Sequence, residues 1–190
     1  MSRVSLLPLV VAGLALVEAC QPLPAPPQPP ALSPRWSGLD FVPSQCVRSE
    51  VERCFDARDN DCDGYIDEGC GMGTGALQLV LAWDDSELDL DLEVRDPQGE
   101  LAPLGGVSHA GLTREHDCPS EASLCAEQNV ETVYLVGGEP ERGTYVVRVR
   151  RSGGGDIDTQ LTLGLRVRGA TYSSQPSLRL QHELSFELSL

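Results

Sequence analysis

The sequence predicts a mainly β protein: an antiparallel β-sandwich over residues 76–190, preceded by a small cysteine-rich module at 44–75 and a proline-rich linker. Three observations predict it. Apolar and polar residues alternate in LDLDLEVR (88–95) and across SLRLQHELSFELSL (177–190), the period of a strand with one buried face. Glycine and proline number 19 and 14 while aromatics are only 5 %, which suits turns and short strands. Cys46, Cys54, Cys62 and Cys70 follow one another at intervals of eight, the framework of a unit too small to fold on its core alone.

Residues 1–19 have the layout of an export signal, with Arg3, an apolar stretch from Leu6 to Val17, and Ala19 before Cys20. Val17-Glu18-Ala19-Cys20 resembles a bacterial lipobox, which implies a lipoprotein signal peptide and a membrane anchor on Cys20. Cleavage after Ala19 without lipid, giving a periplasmic or secreted protein, is the alternative. Parity favours the lipid: of seven cysteines, six remain once Cys20 is acylated, enough for three disulfides in an oxidising compartment. Gln21 stands where enterobacterial lipoproteins retained at the inner membrane carry aspartate, so the outer membrane of the cell envelope is the expected address. Residues 20–43 then form the lipidated N-terminus and linker. Positions 21–34 hold seven of the fourteen prolines, favouring extended polyproline II that spans about 40 Å at most.

The module, 44–75, admits three disulfide pairings of its four cysteines. Zinc is the rival for four cysteines, but CxxC knuckles are absent and export favours disulfides. Inside it runs DARDNDCDGYIDEGC (56–70). Asp59, Asp61 and Asp63 occupy positions 1, 3 and 5 of an EF-hand-like loop, Gly64 makes the turn at 6, and the Tyr65 carbonyl serves at 7. Cys70 replaces the bidentate glutamate of position 12, so Asp67 or Glu68 must substitute. Hard oxygen donors select Ca²⁺, which makes this a calcium-loop module. ARDNDCDGYIDEGC also resembles the MopE-type motif of bacterial surface proteins, N-G-x-D-D-D-C-D-G-x-x-D-E-G-C, which implies metal binding by the same residues.

From Ala76 the sequence predicts strands at 77–83, 88–95, 130–136, 143–151, 157–168 and 177–190, with Asp96-Pro97-Gln98-Gly99 as a turn. These segments have the length to bury a core of their own and are expected to fold without the module. LVLAWDDSELDLDLEVRDPQGE (79–100), QNVETVYL (128–135) and GTYVVRV (143–149) together resemble the YfaP-like domain of bacterial envelope proteins, which implies an extracytoplasmic β-sandwich. Cys118 and Cys125 flank six residues and are expected to close a surface loop. Residues 84–100 hold eight acids against one arginine. Asp84, Asp85, Asp89, Asp91 and distant Asp117 could gather a second cation, but a solvated strand face is the favoured reading of this rim.

Acids outnumber bases 29 to 14, every base is arginine, and the net charge is −15. Such a chain repels nucleic acid. No GxSxG elbow, HExxH helix or Walker loop occurs, and His182 is placed on the apolar face of the last strand, so no catalytic residue is assigned. The expected function is a non-enzymatic envelope lipoprotein, stabilised by calcium, whose sandwich binds a protein or glycan. The alternative is a metal-handling surface protein in which cation capture is itself the role.

Overall fold

The computed structural model describes residues 34–48, 50–119, 128–155, 158–179 and 183–190. The signal peptide, Cys20, the linker through residue 33, Cys125 and His182 lie outside the described residues. Leu32–Leu190 form one compact unit. Among the described residues there is no helix. The strands are β1 (Arg35–Ser37), β2 (Val42–Pro43), β3 (Leu77–Trp83), β4 (Asp89–Arg95), β5 (Leu112–Glu115), β6 (Val130–Leu135), β7 (Thr144–Gly153), β8 (Thr159–Val167), β9 (Ala170–Ser174), β10 (Ser177–Leu178) and β11 (Glu183–Ser189).

They form two antiparallel sheets, so the mainly β fold is as the sequence predicts. The smaller has the order β1-β11-β7-β4; the larger runs β2-β9-β8-β3-β6-β5, with β10 also on β8. One core fills the space between them. Leu90, Leu92, Val94, Val147, Val149 and Phe186 come from the smaller sheet, and Leu77, Leu79, Leu81, Val133, Leu163 and Leu165 from the larger. Alternation along β4 is complete: Leu90, Leu92 and Val94 are buried while the residues between them are half-buried.

Two features depart from simple alternation, each with a physical cause. β3 is buried at all seven positions, because its second face, Val80 and Ala82, packs under Ala57, Ile66 and Met72 of the module in a second apolar cluster that includes Val130. The stretch 177–190 is also two strands where one was expected. Ser177–Leu178 pair with β8 and Glu183–Ser189 with β7, so the chain passes from one sheet to the other. The alternation continues across the break because Leu178, Phe186 and Leu188 all face the same core.

Residues 35–43, at the end of the segment read as linker, add an edge strand to each sheet through β1 and β2. Trp36 packs on Phe41 and Tyr172 with ring centroids 5.5 and 5.2 Å apart, and Phe41 is buried against Phe186. Aromatic pairs at such spacings add to the area they bury.

Candidate metal centre

The module has little hydrophobic core and is held by covalent and polar bonds. Cys46 pairs with Cys62 and Cys54 with Cys70, each closing 16 residues. This is the crossed pairing of the three that the sequence leaves open. Each bridge contributes roughly 3 kcal/mol in the chain-entropy account. With them crossed, Val47, Glu52 and Arg53 lie against Asn60 and Asp67, and that juxtaposition builds the site. Cys118 is also disulfide-bonded.

Successive carboxylates fold the loop back on itself. Asp59 Oδ1 accepts from the Cys62 amide at 2.8 Å, Asp61 Oδ1 from Asp63 at 3.0 Å, and Asp63 Oδ1 from Tyr65 at 2.8 Å. Asp59 Oδ2 accepts from the Gly64 amide and from the Thr171 hydroxyl of β9 at 2.9 Å. Gly64 has φ +88°, and a Cβ there would lie 2.8 Å from the Gly169 carbonyl oxygen, so both conformation and space require glycine.

Of the six predicted ligands, Asp61, Asp63 and Glu68 bring carboxylate oxygens within 4.8 Å of one another, and Asp59 does so with Asp61 and Glu52. Like charges at that distance repel by roughly 3 kcal/mol at an effective dielectric of about 20. One oxygen of Glu68, Oε2, is buried without a hydrogen-bond partner. Burial, and then the neighbouring carboxylates of Asp63, Asp61 and Asp59, raise the Glu68 carboxyl above its ordinary range. A cation among these oxygens would relieve both the repulsion and the unmet acceptor.

The other two predicted ligands are placed differently. Asp67 is fully buried and turned to the backbone, accepting from the Asp56 and Ala57 amides at 3.1 and 3.0 Å; burial pushes its carboxyl up to about 7. Tyr65, predicted to offer its carbonyl, lies with its ring 4.1 Å from the Arg166 guanidinium. Glu52 is the residue that sequence reasoning missed. Its two oxygens accept from the Asn60 and Asp67 amides, both at 2.9 Å, and burial pushes its carboxyl up to about 7. No spacing rule reaches it, since it precedes the loop; only the crossed disulfides bring it in.

The module is fastened to the larger sheet. Gln78 of β3 donates to the carbonyls of Ile66 and Gly73, and Arg166 of β8 donates to those of Gly64 and Gly75. Of the five aspartates in the predicted acidic rim, Asp91 and Asp117 lie in one cluster of carboxylates, with Glu131, whereas Asp84, Asp85 and Asp89 are not in it. No protein-family model matches the chain, and comparisons with curated proteins and with solved structures likewise found no match.

Proposed function

We propose that the 56–70 loop binds one Ca²⁺ and that this ion, with the two disulfides, fixes the module on the sandwich of an exported, non-enzymatic envelope lipoprotein. The observation that carries the reading is the convergence of Asp61, Asp63 and Glu68, with Asp59 and Glu52 adjoining, around a buried Glu68 oxygen that has no partner. All the donors are hard oxygens, which favours Ca²⁺ over transition metals. Resemblance of the loop to the MopE-type motif supports the same ion-binding role. The disulfides support an oxidising compartment, and with the lipobox-like residues before Cys20 they support envelope attachment. A sandwich presented at the membrane surface on a proline-rich tether suits capture of a protein or glycan. An ion held in a loop that is hydrogen-bonded to the sheet suits structural use over sequestration.

The test is a calcium titration of the full chain. Extracellular calcium modules bind at about 10⁻⁴–10⁻³ M. At a hundred times the dissociation constant, binding to the folded state adds about 2.7 kcal/mol. Calcium should therefore raise the melting temperature by about 5–11 °C for a chain of this size and slow reduction of Cys46–Cys62 and Cys54–Cys70. Asp63→Ala should abolish both effects and Asp84→Ala neither. An unchanged melt and reduction rate in the wild type would refute the reading.

A further inference from the structure

A second group of acids lies at the open edge of the smaller sheet. Among the strands β4 is that edge and pairs with β7, and its end is tied to the following turn by the Arg95–Leu101 bridge and by the Ala102 amide on the Val94 carbonyl, so amides nearer its start that point away from β7 need other partners. One finds Glu131. On β6, Val130 faces the module while Val133 and Leu135 face the main core, and alternation puts Glu131 on that inward face. Its carboxylate reaches across to the other sheet, where Oε2 accepts from the Leu92 amide. Glu131 is 0 % exposed, and its second oxygen, Oε1, has no hydrogen-bond partner.

Glu131, Asp91 and Asp117 bring carboxylate oxygens within 4.8 Å of one another. Arg114, inward-facing on β5, is only loosely placed between two of them, 3.8 Å from Asp91 and 3.9 Å from Asp117. Arg150 binds Asp91 at 2.8 Å and Glu93 at 3.4 Å from the solvent side. Among the described residues, the carboxyl groups of Asp91, Glu93, Asp117 and Glu131 thus outnumber the two guanidiniums that the ion pairs bring to them. Neither arginine bonds Glu131 Oε1, so that buried oxygen is unmet.

We propose that Asp91, Asp117 and Glu131 form a second divalent-cation site, suited by its oxygen donors to Ca²⁺, which latches the open edge of β4 to the larger sheet. One divalent ion offsets the excess of carboxyl groups and supplies the partner that Oε1 lacks. The site is separate from the 56–70 loop and does not depend on it.

Two backbone amides report the two sites independently. The Leu92 amide is bonded to Glu131 and the Gly64 amide to Asp59. In ¹⁵N-labelled full chain titrated with Ca²⁺ alone to about 10 mM, well above the usual extracellular range, the Leu92 resonance should shift and saturate. Glu131→Gln, which keeps an oxygen for the Leu92 amide, should abolish that shift and leave the Gly64 response intact. Asp63→Asn should do the reverse. Should Glu131→Gln fail to fold, Asp117→Asn carries the same test at a partly exposed position. A Leu92 resonance that stays still in wild type, or one that moves equally in wild type and in both site variants, overturns the proposal whatever Gly64 does. A Gly64 resonance that stays still while Leu92 saturates overturns the loop reading and sustains this one.

Discussion

Gly164→Ala tests the docking of the module through the sign of a stability change. Gly164 sits on the outer face of β8, opposite Val80 of β3, with a φ outside the left-handed region. An alanine there with free space around it would stabilise the chain by about 0.4–1 kcal/mol, by restricting the unfolded state. The space is not free. The added Cβ would lie 2.4 Å from the Ala57 carbonyl oxygen, 3.1 Å from its carbon, and 3.1 Å from Ile66 Cδ1. Ordinary contact begins near 3.4 Å, so the carbonyl must retreat by about 1 Å. Ala57 is fully buried and its amide is held by Asp67, so the retreat displaces the module itself. Overpacking of this kind costs about 1–3 kcal/mol, and the net loss is about 1–2 kcal/mol. For a chain of this size the melting point should fall by about 2–8 °C, read by circular dichroism beside Gly137→Ala, where nothing lies within 4 Å of the new Cβ. If Gly164→Ala melts at or above wild type while the control behaves as expected, the module does not pack on this face.

Ile66→Ala empties a fully buried site in the second cluster and should cost about 2–5 kcal/mol in urea unfolding; a loss under about 1 kcal/mol would mean that the module is seated loosely. Tyr145 is 1 % exposed and donates its hydroxyl to the Glu141 carbonyl; burial, and then the Glu141 and Asp96 carboxylates, push its phenol up to about 12 from 10. The folded state thus favours the neutral phenol, and its contribution to stability is complete below pH 10 and lost as pH rises toward 12; Tyr145→Phe should remove one late step from the ultraviolet phenolate titration. Cys20→Ser should release the protein from the membrane fraction, and an unmodified N-terminus in the wild type by mass spectrometry would disprove the anchor.

Local periodicity made the strands legible, and long-range docking set what it could not show. β4 follows its own alternation because one face meets the core and the other meets solvent and β5-side charges. β3 does not alternate, and an apolar run such as LQLVLAW is equally consistent with several kinds of burial; only the module beneath Val80 and Ala82 explains it. The acids of the loop were legible because they recur at fixed spacing around Gly64. Glu52 and Glu131 were not, since each enters its group from a different stretch of chain, one through crossed disulfides and the other across two sheets. Arg166 shows the same limit most plainly. In LTLGLRVR it has the position of a solvent-facing residue on an alternating strand, yet it is only 8 % exposed. Its guanidinium stacks on Tyr65 and donates to the carbonyls of Gly64 and Gly75, the two ends of the loop's path from turn to sheet. An arginine suits that task because its fixed fork of donors can serve two carbonyls while its plane covers a ring. The outer face of β8 is therefore polar by sequence and interior by structure, and the acidic loop takes its position from that face.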